Sequence, residues 1–410
     1  MIPLGEVQAA VLGAVAPLAP VDVARRDALG LVLAEDVAAP EAVPPFANTA
    51  MDGYAVRATD TAGATDSDPV RLRVVGELAA GHAPTVAVRA GEAIRIMTGA
   101  PMPDGADAIV IVELTERDGV DGVMVQLEAG PGQHVRRAGG DLEAGDLVFP
   151  AGTALRGAHV GVLATVDAQV VRAYPRARVG VLSTGDELLE SGPLSPGKIR
   201  DSNRPMLLAL VERAGAEPVD LGSAVDDEAS MTATLLDAIE RCDAVITSGG
   251  VSVGDYDYVS AALEHLAGED ASGASHVDWY QVAIKPAKPL CFATIRGTPV
   301  FGLPGNPVSS LVSFELFARP SLRKMMGHAQ WFRPSVTARL DDAMPRKADG
   351  KLYLDRVVVR WEHDGYRARA VRSQESNTLA ASASANALAL VPDGPGLPAG
   401  AVVDVVLLDD

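Results

Sequence analysis

Ala244-Val245-Ile246-Thr247-Ser248-Gly249-Gly250-Val251-Ser252-Val253-Gly254-Asp255-Tyr256-Asp257 joins a short apolar run to a stretch with almost no bulky side chain, which then ends in two carboxylates. The run 244–246 reads as a buried parallel strand. A glycine-rich turn at the carboxyl end of such a strand lets backbone N–H groups approach an anion. Ser248, Gly249, Gly250, Ser252 and Gly254 are therefore read as phosphate contacts. Carboxylates beside phosphate point to a divalent cation held between them. Phosphate plus metal is the first expectation.

The pattern around this stretch repeats strand, loop and helix. Residues 179–182 read as a strand, and Asn203 as the cap of a helix with Pro205 in its first turn and Gly215 at its end. A strand at 219–221, a helix at 228–241 and a helix at 258–266 follow. Strands near Val282, at 290–293 and at 300–303 lead to a helix starting at Pro307. This alternation predicts an α/β domain with a mainly parallel sheet over 177–327.

Ligands of an open parallel sheet bind outside the carboxyl ends of its strands. Those ends carry Ser183-Thr184-Gly185-Asp186-Glu187, then Gly222-Ser223 with Asp226-Asp227, then the opening stretch, then Gly302-Leu303-Pro304-Gly305-Asn306-Pro307. Lys285-Pro286-Ala287-Lys288-Pro289 lies between two of the later strands. Each loop alone has a plainer reading. The Asp pair caps a helix, the lysines are solvated charges, and Asn306-Pro307 starts a helix while leaving N–H groups free for an anion. Their coincidence at one sheet edge predicts a binding site. Its carboxylates suit Mg²⁺, and Lys285 and Lys288 suit an oxyanion. No Walker or dinucleotide fingerprint is present, and neither a hydrolase elbow nor metal-spaced histidines appear.

The remainder is organised differently. Leu4, Val7, Val11 and Val15 give an amphipathic helix, and runs at 71–75, 93–97, 108–112 and 123–127 form a β-rich module. Two constrained loops, Pro44–Val56 and Ile96–Pro103, form a second candidate cluster there. Strand-like runs at 352–359, 366–371, 388–391 and 402–408 predict a small all-β C-terminal domain. Expected boundaries are 1–45 with 140–176 for a helical linker domain, 46–139 for the β-rich module, 177–327 for the α/β domain, and 328–410 for the C-terminal domain. A net charge of −19 over 410 residues argues against a nucleic-acid surface. Two apolar-context cysteines, no signal peptide and no membrane-length apolar run predict a cytoplasmic protein.

Six strings in this order, NTAMDGYAV, RIMTGAPMP, STGDEL, TSGGVSVGDYDY, KPAKP and GLPGNPVS, resemble the MoeA/gephyrin-type molybdopterin molybdenumtransferases over nearly the whole chain. The resemblance implies a MogA-like central α/β domain, a β-rich inserted module, a helical linker domain and a small C-terminal β-barrel. It implies molybdenum insertion into adenylylated molybdopterin, yielding molybdenum cofactor and AMP, with Mg²⁺ and with molybdate as a substrate. By motif position Glu187, Asp226 and Asp257 serve the metal and pyrophosphate, and Asp52, Thr98 and Asp141 complete the catalytic set. Lys285, Lys288, Ser309, Arg356 and Ser376 hold molybdate, and Asn306 belongs to the nucleotide side. One departure stands out: Glu375 precedes Ser376 where small residues are common, and an acid there repels an oxyanion unless it points away.

The resemblance further implies a homodimer with its cleft formed between subunits, small anionic substrates, and as protein partners a molybdopterin adenylyltransferase or molybdoenzyme chaperones. No nucleic acid and no membrane are implied. Two other readings compete. One is a catalytically weak, gephyrin-like scaffold for partner peptides, favoured only by the altered serine loop. The other is a nucleotide-hydrolysing or adenylyl-transferring enzyme sharing the α/β domain alone, which would not need the Asp52 and Thr98 loops.

Overall fold

The run at 244–246 forms the first three residues of the strand Ala244–Ser248, whose residues are all buried. The structure is a computed structural model that describes residues 1–224, 227–250, 258–271 and 273–409. The chain divides into two compact units, one of Met1–Val23, Gly30–Ala34 and Arg172–Asp410, the other of Ala24–Leu29 with Glu35–Val171.

In the first unit the chain builds β1 (Arg178–Thr184), β2 (Glu217–Ala224), β3 (Ala244–Ser248), β4 (His276–Gln281), β5 (Ile284–Lys285), β6 (Pro289–Ile295) and β7 (Thr298–Leu303). A six-stranded sheet runs in the order β2-β1-β3-β7-β6-β4. Strands β2, β1, β3 and β7 are parallel, whereas β6 and β4 run antiparallel at one side. The loops that follow β1, β3 and β7 therefore lie at one edge of the sheet. Because β6 runs the other way, its start at Pro289 lies at that same edge, which brings the lysine loop there too. Helices Asn203–Arg213, Glu228–Arg241 and Tyr258–Glu269 bury Leu207 and Val211, Met231 and Leu235, and Val259 and Leu263 respectively.

The N-terminal helix Leu4–Gly13 places Val7 and Val11 in the core shared with Phe292, Phe301 and Phe314. Lys324 Nζ donates to the carbonyl of Leu12 at 2.6 Å, a cation at the negative end of that helix. Both cysteines are buried, as small core residues.

The C-terminal region contributes β8 (Ser335–Leu340), β9 (Leu352–Glu362), β10 (Gly365–Ala370), β11 (Ala387–Val391) and β12 (Val402–Leu407). Their ladder runs β9-β10-β8-β12-β11 and returns to β9, closing a 5-strand barrel with no free edge among them. Short β5 adds to β9 in parallel, pairing Ile284 with Leu352 and Lys285 with Tyr353. That pairing attaches the lysine loop to the barrel.

The second unit holds a six-stranded sheet of Ala108–Ile111, Gly53–Val56, Glu92–Ile96, Val70–Leu78, Gly122–Val125 and Thr115–Asp118, in that order. The loop reading of 44–56 missed the strand Gly53–Val56, which is paired on both sides and wholly buried. Gly53 is required there, because a Cβ would collide with the carbonyl of Val110. The helix Gly157–Thr165 belongs to the same unit.

Asn203 is not the expected cap. The helix begins at Asn203 itself, after Ser202, and the amide side chain turns to the sheet edge instead. Among the described residues no helix is long and apolar enough to cross a membrane.

Candidate functional site

The loops after β1, β3 and β7 enclose a cleft of about 810 Å³ in the first unit. Its floor is made of small residues. Gly249 and Gly250 adopt φ of 95° and 68°, in the left-handed region natural to glycine. A Cβ on Gly249 would lie 2.7 Å from Thr184 Oγ1 and 2.9 Å from the Thr184 carbonyl, so the β1 and β3 loops pack backbone to backbone. The Gly249 N–H is taken by the Leu303 carbonyl at 3.0 Å, which ties β3 to β7.

Asn203 supplies the third tie. Its Nδ2 donates to Ser248 Oγ at 2.8 Å and to the Gly305 carbonyl at 2.7 Å. One buried amide thus braces the loops after β3 and β7. Sequence reasoning saw only a helix cap, and the residue type was the one available hint. Beside it, Arg204 donates to both oxygens of Asp220 at 2.5 and 2.7 Å and to Asp201 at 3.2 Å. Burial disfavours the Asp220 carboxylate, but the Gly222 amide and Arg204 outweigh it and hold the group below the usual range.

Glu187 is exposed at the cleft, and its carboxylate folds back over Gly185. Asp226, Ser252, Gly254 and Asp257 lie outside the described residues, as do Asp255 and Tyr256. Among the described residues no three His, Cys, Asp or Glu side chains gather as a metal site. The described share of the expected metal set is thus a single carboxylate, of the oxygen chemistry that a hard cation takes. Asp227 is an ordinary cap, accepting from the Ser230 N–H at 2.8 Å.

A second cavity of about 450 Å³ adjoins the first and shares Pro289, Pro304 and Asn306 with it. Lys285, Lys288, Ser309, Arg356 and Ser376 all line it. They arrive from the lysine loop, the helix Pro307–Ser313, strand β9 and the turn after β10. Arg356 is only 1% exposed. Its Nη2 donates to the Glu375 carbonyl at 3.2 Å, and its backbone is clamped by the Gln374 amide through two 2.8 Å hydrogen bonds. Among the described residues its Nε and Nη1 have no hydrogen-bond partner. Burial lowers the Arg356 pKa, against the pull of Asp355 and Glu375. Buried guanidinium donors without a protein partner are of the chemistry that an anion's oxygens take.

Two carboxylates also line this cavity. Burial pushes the Asp355 carboxyl up, against Arg356, Arg346 and Lys285. Glu375 is exposed, and its carbonyl accepts from both Arg356 and Thr378. The Ser376 carbonyl accepts from the Val308 N–H at 3.1 Å. A first-turn amide that looked free for an anion is therefore occupied, and the Asn306 side chain makes no capping bond.

In the second unit, Asp52 Oδ1 accepts from the Thr98 N–H and from Thr98 Oγ1, both at 2.7 Å. The Thr98 hydroxyl bond, then its amide bond, and then Arg95 hold the Asp52 carboxyl below the usual range despite some desolvation. Asp141 is exposed in the same unit, and its N–H donates to the Val43 carbonyl at 2.9 Å.

Three regions of the chain match known protein families. Residues 2–166 match the MoeA N-terminal region (domain I and II), residues 180–324 the Probable molybdopterin binding domain, and residues 337–408 the MoeA C-terminal region (domain IV). Molybdopterin molybdenumtransferase 2 of Mycobacterium tuberculosis (strain H37Rv) is 43% identical over 378 residues, spanning 91% of each chain. The molybdopterin molybdenumtransferase of Bacillus subtilis (strain 168) is 34% identical over 391 residues, covering 94% of this chain and 89% of that one. The crystal structure of the molybdopterin biosynthesis MoeA protein from Pyrococcus horikoshii OT3 superposes with a TM-score of 0.81 at 31% identity, covering 99% of this chain and 100% of that one.

Proposed function

The chain belongs to the molybdopterin molybdenumtransferases, enzymes of molybdenum cofactor biosynthesis, and on that premise we propose that it inserts molybdate into adenylylated molybdopterin and releases AMP. The observation that carries this reading is the pair of adjoining cavities, one floored by glycine and small polar residues, the other lined by Lys285, Lys288 and Arg356. The larger takes the pterin nucleotide, with Ser248, Gly249, Gly250 and Asn306 beside its phosphates. The smaller takes the oxyanion, with Arg356 offering its two free donors and the lysines balancing the second charge.

Glu187, with Asp226 and Asp257, would hold Mg²⁺, which when bound neutralises phosphate charge as the phosphoanhydride breaks. This chain's own residues orient and desolvate. Asn203 keeps the β3 and β7 loops in register, and the Arg356 backbone clamp fixes the angle of the guanidinium. Asp52, Thr98 and Asp141 are assigned catalytic roles with them. The working form is a homodimer in the cytoplasm, checked by light scattering for twice the 42.4 kDa chain mass.

The test is direct. Purified protein supplied with adenylylated molybdopterin, molybdate and Mg²⁺ is expected to release AMP and form a cofactor that activates an apo-molybdoenzyme. Absence of both products refutes the reading. Asp257→Ala is expected to abolish turnover while leaving the circular dichroism spectrum unchanged.

A further inference from the structure

Lys285 sits beside Tyr353 because β5 and β9 pair in parallel with those two residues in register. Its ammonium lies 4.9 Å from the centre of the Tyr353 ring, within cation–π range. The ring is itself anchored. The Arg346 guanidinium is 3.6 Å from the same ring centre, and Tyr353 Oη donates to Asp349 Oδ2 at 3.2 Å. Arg346 in turn has a side chain only 2% exposed. It donates to the carbonyls of Val391, Pro392 and Lys351 at 2.8, 2.9 and 2.8 Å, and pairs with Asp349 and Asp393. Tyr353 is therefore a braced aromatic face under a lysine.

The arrangement solves a specific difficulty. A lysine carries a flexible four-carbon stem, so placing its charge at a chosen point needs a restraint. A carboxylate partner would supply that restraint and cancel the charge an oxyanion needs. Among the described residues Lys285 has no carboxylate partner at ion-pair distance; Asp355 acts only at longer range. An aromatic face confines the ammonium without neutralising it. The second cation on the ring, Arg346, is offset by Asp349 and Asp393 and so adds little repulsion.

We infer that Tyr353 is a positioning residue for the oxyanion pocket: its ring, braced by Arg346 and Asp349, holds the Lys285 ammonium ready for the anion. This rests on reading that pocket as the molybdate site. Nothing in the sequence motifs marked Tyr353, Arg346 or Asp349.

The experiment is calorimetric titration of the full-length protein with sodium molybdate, together with molybdate KM and kcat. Tyr353→Leu is expected to weaken binding about 5-fold, appearing in KM with kcat nearly unchanged. Tyr353→Phe keeps the ring and is expected to stay within about twofold of wild type. Lys285→Ala should weaken binding more than either, and Lys285→Ala/Tyr353→Leu should be no weaker than Lys285→Ala alone. Equal losses in Phe and Leu variants, or additive losses in the double variant, overturn the inference. Lys285→Ala with unaltered affinity would instead sink the molybdate reading itself, so the two failures are distinguishable. Should Tyr353→Leu not fold, the wild-type Lys285 ε-methylene protons decide. The ring current is expected to move them upfield of the other lysines, and an unshifted resonance overturns the inference.

Discussion

The two cavities at the carboxyl edge meet at Pro289, Pro304 and Asn306, yet they are built by opposite means. The larger is a backbone device: glycines at positive φ, buried hydroxyls, and the Asn203 brace that fixes one loop against the next. The smaller is a side-chain device, with lysines from a proline-flanked loop and a buried arginine on a barrel strand. Loop geometry tolerates an extended ligand touched at many points. A compact dianion demands concentrated charge, which must be carried in by long side chains and held still.

The sharpest way to break that contrast is Arg356→Met. Removing the guanidinium should weaken molybdate binding by at least about 30-fold, in line with about 2–5 kcal/mol for a buried charged hydrogen-bond partner. Stability should hold or rise, since an apolar side chain of similar size relieves a buried charge. Titration and thermal melts check both arms. Affinity within threefold of wild type would remove Arg356 from the oxyanion side.

Gly249→Ala probes the other cavity. Its φ of 95° and the nearby Thr184 atoms make alanine strained, so stability should fall by about 1–3 kcal/mol in urea melts. AMP binding should weaken about tenfold while molybdate binding alone stays within about twofold. Equal losses for both ligands would mean the cavities are not separable.

A pH test sharpens the picture for the second unit. The Asp52 carboxyl is held down first by the Thr98 hydroxyl, so Thr98→Val should raise its pKa. Because the folded value lies below the unfolded one, the contribution to stability is present above the unfolded pKa and fades as pH falls through the folded pKa. In the variant that loss should be smaller and complete at higher pH, and the acid limb of the pH–rate profile should move upward. An unmoved limb would detach Asp52 from activity.

The smallest expected effect belongs to Asp355→Asn. Taking one negative charge from the oxyanion cavity should tighten molybdate binding by about threefold. The folded pKa of Asp355 lies above its unfolded value, so its relative stabilisation is full below the unfolded pKa and is lost as pH rises through the folded one. At neutral pH the Asn variant should therefore melt no lower than wild type. Weaker molybdate binding in this variant would show that Asp355 donates to the anion instead.

What the sequence disclosed follows the same divide. The glycine-built cleft was legible because its parts are local: an apolar run followed by a tight loop identifies both the strand and the end at which the cleft opens. The lysine loop was legible as charge held between prolines. Arg356 was named only through the family resemblance and Tyr353 not at all, because Leu352–Glu362 by itself announces only a strand. Which of its residues meet the lysine loop depends on the long-range pairing of β5 with β9. Asn203 was misread because its type favours caps, while tertiary contacts with Ser248 and Gly305 decided its role. The strand Gly53–Val56 escaped for a related reason: neighbours on both sides make it a strand, against a local composition that reads as a turn.

On the proposed function, molybdate and the nucleotide occupy adjoining but differently built cavities. Crystals soaked with tungstate and AMP test it most directly through anomalous scattering. One tungsten peak is expected among Lys285, Lys288, Ser309 and Arg356, with AMP density over Gly249 and Gly250. A tungsten peak over the glycine loops, with none beside Arg356, would contradict it.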